Sequence, residues 1–407
     1  MKHHFNIQRR FRILLAAMAA VLLLSGCGVD ETLSAVQDFR DRLTGENTGE
    51  KKDAGKDDDS DAESMKGFVE IPDGTVFISD EYDYSEVKEK LAEAFENMET
   101  SVCIQGKTWF DTPDFYAMPY STFWLEDFSA TRFWGRRKED EEKSFFDFYK
   151  FDYYDLSADQ VRQMKEEIDA ATAEITEKVS AKARSWGKSK TVHDELCRLI
   201  TYDKTQSLPH CHDLYGALVS HQAVCSGYAC AFTHIMGEMG ITCPLSYSDS
   251  HAWNRVNAPT YEEYIDITWD DTDMTDKFGN PYIDYSYFFL TREECESIDS
   301  HSIQSFDPIT ELSPGKPYNY YSHEGYLAED LNEETITEIF RKQYKKGGNL
   351  LTVRFAHEED YKKAKTWQDN NGEGFNTYLS ALQYYEPYYF WYNDTVHTIS
   401  IGLYADV

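Results

Sequence analysis

Apolar and polar positions along this chain switch between two periods, and the switches lay out its elements. SEVKEKLAEAFENME reads as an amphipathic helix, SVCIQGKTW as a strand and KSFFDFYKFDYYDL as an aromatic strand. Ser157 with Gln160 three residues on is a capping-box signature that opens a helix. Val161, Met164, Ile168, Ile175 and Val179 keep its apolar stripe, and Gly187 is its expected end. A second helix, about 191–201, runs into Ile200-Thr201-Tyr202-Asp203. The run CSGYACAFTHIMGEMG carries apolar residues at 228, 232, 235, 236 and 239, the spacing of one helix face. HAWNRV and YEEYIDITW read as two strands joined by Asn257-Ala258-Pro259-Thr260. Past the Pro/Gly/Ser stretch TELSPGKP, helix, strand, helix and aromatic strand follow once more.

Helix, strand, helix and strand also describe 84–154, so a weak internal repeat is expected, with two small modules flanking a central core. The reading is α+β, divided as 1–26, 27–66, 67–156, 157–305 and 306–407.

Chemistry enters at the core. Cys225 stands at the tip of its helix, where exposed backbone N–H groups favour thiolate over thiol. If Val256 faces Tyr261 across the four-residue loop, His251 falls directly opposite Asp266. Opposed side chains of an antiparallel pair have Cβ atoms roughly 4.5–5.5 Å apart. A carboxylate there accepts from one imidazole nitrogen and leaves the other for the cysteine. A slip of one residue would send the two side chains to opposite faces.

AVCSGYACAF, HAWNRV and YIDITWDDTD, supported by LYGALV and YFFLT, resemble the core of the transglutaminase-like superfamily, over roughly 160–305. That resemblance implies a papain-like fold, a helix-borne cysteine packed on an antiparallel sheet. It makes Cys225 the nucleophile, His251 the general base and acid, and Asp266 its orienting partner. The implied reaction is attack on an amide carbonyl, a thioester intermediate, then transfer to water or an amine. A peptidase or amidase is favoured over a crosslinking transamidase, and a silent glycan- or protein-binding scaffold stays open. Papain-like enzymes place a glutamine six residues before the cysteine to hold the oxyanion, but Val219 stands there. Tyr215 is the substitute candidate, and Trp253, Trp269 and Tyr228 are candidate substrate contacts. No cofactor and no metal is expected.

The N-terminus sets the expected compartment. Lys2, Arg9, Arg10 and Arg12 precede an apolar run from Ile13 to Leu24, then Ser25-Gly26-Cys27. This is a secretory signal whose end resembles a bacterial lipobox, implying cleavage before Cys27 and lipidation of its sulfur. Twelve apolar residues are too few to span a bilayer. The expected location is the cell envelope, lipid-anchored on the extracytoplasmic side of a bacterial membrane, with a protein or peptide substrate there. Residues 28–66 are charged and low in large apolar residues, a flexible tether reaching roughly 35 Å. Cleavage removes four positive charges and no negative one, moving the formal charge from −33 to −37. Such a surface excludes nucleic acid as a partner.

Eight cysteines are present, at 27, 103, 197, 211, 225, 230, 243 and 295, and most are expected to be buried free thiols. Pro209-His210-Cys211-His212 has ligand types too tightly spaced for one zinc, and reads as a polar loop at the site's mouth. Asp270-Asp271-Thr272-Asp273 lacks the glycine and distal glutamate of a calcium loop. Trp109, Trp124, Trp134 and the 388–392 aromatics are either sheet core or a stacking platform for wall glycan.

Overall fold

Apolar positions that the two periods pick out are buried. Leu91 and Phe95 in the first helix, Val102 and Ile104 in its strand, and Ile168 and Ile175 in the capped helix all lie in the core. The computed structural model describes residues 70–106, 125–138, 143–181, 183–248, 250–257, 262–301, 319–371 and 374–404. The signal sequence, Cys27, the tether, Trp109 and Trp124 lie outside these residues, as does the side chain of Trp134. Among the described residues, no helix is long and apolar enough to cross a membrane. The chain is α+β and divides into two compact units, one of 70–106 and 125–153, the other from Tyr154 onward.

The first unit is β1 (Val76–Ile78), α1 (Tyr84–Glu96), β2 (Ser101–Gln105), β3 (Leu125–Gly135) and β4 (Ser144–Tyr153). Asp83 and Glu86 form a capping box that starts α1. Strands β1 and β2 pair in parallel across α1; β2–β4 and β4–β3 are antiparallel, giving the order β1-β2-β4-β3.

The second unit opens with α2 (Ala158–Lys178), capped by Ser157 and Gln160, and α3 (Ser185–Leu199). The expected end at Gly187 is corrected: Val179 turns extended, and Gly187 lies inside α3. Two short parallel strands follow, β5 (Thr201–Tyr202) and β6 (Gln222–Ala223). Next come α4 (Cys225–Glu238), β7 (Leu245–Tyr247), β8 (Ala252–Asn257) and β9 (Glu262–Ile265). After them lie α5 (Ile267–Asp270), the ribbon β10 (Asp271–Thr275) and β11 (Pro281–Ile283), β12 (Phe288–Thr291) and α6 (Arg292–Glu296). Strands β12-β9-β8-β7 form an antiparallel sheet.

The same unit continues through α7 (Tyr320–Glu324), β13 (Leu327–Ala328), α8 (Glu333–Lys345), β14 (Leu350–Phe355), α9 (Glu358–Asn371), α10 (Gly374–Ala381), β15 (Tyr388–Asn393) and β16 (Thr398–Leu403). Its sheet has the order β13-β14-β16-β15. The first pair is parallel across α8 and the other two pairs are antiparallel. Strand order and directions are those of the β1–β4 sheet. The second helix expected before residue 154 is not found among the described residues.

Candidate active site

Local geometry sets the tip of α4. The β5–β6 ladder ends at Ala223, the Val224 N–H donates to the Cys211 carbonyl at 2.8 Å, and Val224 is an extended cap with no side-chain hydrogen bond. The first-turn N–H groups therefore start the helix without a side-chain acceptor at the cap. Gly227 is required here. A Cβ on it would lie 2.7 Å from the Ala223 Cβ and 2.9 Å from the Cys211 oxygen. Tyr228, Phe232, Ile235 and Met236 form the buried face, as their spacing predicts. All seven described cysteines are free thiols, and Cys225 is the one that is not buried.

Strands β8 and β9 bring the other two residues together, in a register different from the one expected. Val256 pairs with Glu263 and Asn254 with Ile265. His251 thus sits one step before β8, and Asp266 one step after β9. The change keeps the parity of the faces, so the side chains still meet. His251 Nε2 lies 2.7 Å from Asp266 Oδ2. The remaining ring nitrogen, Nδ1, is the one left free of Asp266, and Cys225 lies close enough to the ring to raise its pKa. Asp266 is not a strand residue but the N-cap of α5, its Oδ1 accepting from the Trp269 N–H at 3.2 Å.

Electrostatics follow this geometry. Burial alone would lower the pKa of His251, but the Asp266 charge and hydrogen bond, with Cys225 beside the ring, push it up to about 10. Burial opposes the Asp266 charge, yet the His251 cation and donors from His251 and His301 hold its carboxyl well below the usual range.

His301 is the residue that sequence patterns did not single out. Its Nε2 lies 2.9 Å from Asp266 Oδ2, the same oxygen that meets His251, and it is fully buried. Ligand atoms of His251, Asp266 and His301 lie within 4.8 Å of one another. The two nitrogen–oxygen separations of 2.7 and 2.9 Å suit hydrogen bonds. Donors about 2.0–2.1 Å from a tetrahedral ion stand farther apart than that.

An aromatic wall encloses the pair of histidines. Trp253 lies 5.8 Å from His251 and 4.5 Å from His301 between ring centroids; Trp269 lies 5.6 and 4.8 Å from them. Trp269 is 38% exposed, so of the three candidate substrate contacts it is the one that solvent reaches. The other two are corrected. Trp253 is sheet core packed with Tyr264, Leu290 and Cys295, and Tyr228 is buried with its hydroxyl donating to Asp271 at 2.7 Å. Tyr215 is also corrected as an oxyanion donor, because its hydroxyl proton is committed to Glu167 at 2.7 Å.

Tyr202 is placed differently. Its backbone pairs with Ala223, two residues before Cys225. Burial first, then the charge of Cys225, pushes its phenol up to about 12, with Gln206 opposing the rise. The signal was present in the sequence only as the aromatic of the ITYD run.

The weaker constellations separate on inspection. His210 Nδ1 meets Asp213 at 2.9 Å, Cys211 is buried, and His212 Nδ1 meets the Ser226 hydroxyl at 3.1 Å, beside Cys225. In the DDTD run, Asp270 is buried against His193 Nε2 at 3.2 Å, Asp271 accepts from Tyr228, and Asp273 pairs with Lys204 at 2.9 Å. These carboxylates point to different partners. A cleft of about 340 Å³ adjoins Trp269 and is lined also by Tyr287, Asp284, Trp391, Tyr392 and Asn393. The 388–392 aromatics are split: Phe390 and Tyr392 pack on Phe375, while Trp391 donates to Asp284 at 2.9 Å.

No family model and no curated protein matches the chain. Solved structures are similar to parts of it. One is menin, in a structure that reveals its binding site for the Mixed Lineage Leukemia protein: 22% identity, 31% of this chain, 30% of menin, TM-score 0.24. Another is a TGase, at 12% identity over 48% of this chain and 60% of that one, TM-score 0.24. A third is a candidate cysteine protease from Cytophaga hutchinsonii, at 12% identity over 39% and 70%, TM-score 0.22. The chain spans under a third of menin and three fifths of the TGase.

Proposed function

We propose that this protein transfers acyl groups from amide or peptide bonds through a covalent thioester on Cys225, with water as the main acceptor. One observation carries the reading: a partly exposed cysteine at a helix tip, beside a histidine whose Nε2 is held at 2.7 Å by a buried aspartate. His251 takes the thiol proton, the sulfur attacks the carbonyl, and the imidazolium returns the proton to the departing amine. Water, deprotonated by His251, then releases the acid. A primary amine in that position gives the crosslinking reaction instead.

The tetrahedral oxyanion needs donors set in advance. The Cys225 N–H is one, and Tyr202, whose backbone pairs with Ala223 and whose phenol feels the Cys225 charge, replaces Tyr215 as the side-chain donor. Trp269 and the cleft beside it receive the group flanking the scissile bond. The lipobox-like N-terminus supports a lipid on Cys27 and a place at the cell envelope, where a protein or peptide is the substrate. The aromatics on the cleft wall leave wall glycan as the alternative ligand of a non-catalytic scaffold.

A panel of peptide amides with fluorogenic amine leaving groups, run with and without a simple alkylamine, tests this. The expected result is amine release and a thioester adduct mapped to Cys225, both lost in Cys225→Ala. An amide product that grows with added alkylamine would move the assignment to transamidation. Turnover that survives Cys225→Ala, or no adduct from any donor, would contradict the reading.

A further inference from the structure

We infer that His301 is a positioning residue of this site, a second imidazole that locks the Asp266 carboxylate so that its Oδ2 stays aimed at His251. The inference rests on the acyl-transfer reading for its consequence in rate, though not for its geometry.

Asp266 is held at both oxygens. Oδ1 accepts from the Trp269 N–H at 3.2 Å, and Oδ2 accepts from His251 Nε2 at 2.7 Å and His301 Nε2 at 2.9 Å. An ionised carboxylate only accepts, so each imidazole must carry its proton on Nε2. The His301 ring is also held from behind: with the proton on Nε2, its Nδ1 accepts from the Ser300 hydroxyl at 3.0 Å.

The ring of contacts closes through the backbone. The Ser300 carbonyl accepts from the Ser248 hydroxyl at 2.6 Å, and the Ser248 N–H donates to the His251 carbonyl at 2.9 Å. The turn Asp299–His301 therefore grips the aspartate through one residue and the turn carrying the histidine through the next. Without the His301 donor, a fully buried oxygen loses one of two hydrogen bonds, and rotation of the carboxylate is restrained only by His251 and the helix cap. The His251 ring then loses the alignment that presents Nδ1 to the sulfur.

A purely structural role would predict a different result, because His301 is also packed between Trp253 and Trp269. The two roles separate with two substitutions. His301→Gln keeps an N–H near the Nε2 position but not the ring; His301→Phe keeps the ring but not the donor. The readout is the second-order rate of iodoacetamide with Cys225 in the full chain, with thermal unfolding as the control for folding. The donor role predicts that His301→Phe slows the reaction about tenfold or more, and that His301→Gln recovers most of the loss. A Phe variant as fast as the wild type, or faster than the Gln variant, would overturn the inference.

If His301→Phe fails to fold, Ser300→Ala carries the test, since it removes the hydroxyl that holds the His301 ring in place from behind. It is expected to slow Cys225, and an unchanged rate would overturn the inference. Should the wild-type thiol itself react no faster than an ordinary one, the acyl-transfer reading fails separately. The His251 Nε2 proton resonance then decides: the inference requires it to shift or broaden in His301→Phe and to be retained in His301→Gln.

Discussion

Asp266 and His251 form a pair whose protonation states are tied to folding. The folded-state pKa of His251 is pushed up to about 10 against an unfolded value near 6.5, by the neighbouring carboxylate and despite burial. Its stabilising contribution is therefore complete below about pH 6.5 and is lost as pH rises through about 10. Asp266, shifted the opposite way, contributes above the ordinary carboxylate range and loses that contribution as pH falls below it. Asp266→Asn is expected to cost about 3 kcal/mol near pH 6, in the range for breaking a buried pair, with the difference from wild type shrinking toward pH 10. Denaturant unfolding at the two pH values checks this, and a difference independent of pH would contradict it. Cys225, His251 and Asp266 were legible because each lies in a run whose residue types and spacing carry chemistry. His301 lies 35 positions from the carboxylate it meets, in a short turn with no motif, so only the fold could reveal it. Tyr215 misled for the reverse reason: it stands near the right position in sequence, but α2 supplies Glu167 to take its proton.

Helix α4 depends on one residue beyond its cysteine. A side chain at Gly227 would collide with Ala223 and the Cys211 carbonyl, and those atoms belong to backbone segments held by Val224 and by the β5–β6 ladder. Gly227→Ala is expected to destabilise the protein by about 1–3 kcal/mol, the usual cost of overpacking. It should also displace the helix tip, slowing Cys225 more than it alters any buried thiol. Equilibrium unfolding and thiol kinetics on the same variant measure both effects, and a variant indistinguishable from wild type would contradict the close approach. The stripe of α4 was readable from the spacing of its large apolar residues, although small residues such as Ala229 and Ala231 bury its other sides as well. The hairpin was less readable. Alternation fixed which face each side chain takes, but it does not reveal that pairing moves along by one residue on each strand, or that Asp266 leaves the strand to cap α5. Nor does it show that His193, with Asp194 at 3.1 Å and Asp270 at 3.2 Å, ties α3 to α5 from within the core. Full burial opposes the charge of this histidine, but Cys197 beside the ring and the two carboxylates raise its pKa well above the ordinary value.

At the scale of the molecule, the order of helices and strands was visible in the sequence, and their partners were not. The β1–β4 and β13–β16 sheets share strand order and directions although their sequences offered no residue-level match. Hydrophobic period specifies what a segment is, and leaves open which edge it joins. Residues 319–404 belong to the same compact unit as the site. Asn393 donates to the Tyr287 hydroxyl at 2.8 Å, and Tyr287 meets Trp269 edge-on at 5.0 Å, next to His251. The aromatic strand β15 is thus joined to the site's wall by hydrogen bonds rather than standing apart as a platform.

The central claim is that His251 activates Cys225, and cysteine mapping on the intact protein tests it most directly. Iodoacetamide is added below stoichiometry at neutral pH, and the labelled thiols are identified by mass spectrometry in wild type and in His251→Ala. The account predicts that Cys225 is labelled at least about tenfold faster than Cys103, Cys197, Cys211, Cys230, Cys243 or Cys295, and that His251→Ala removes most of that advantage. Labelling of Cys225 at the same rate with and without His251 would mean that exposure alone explains its reactivity, and would contradict the account.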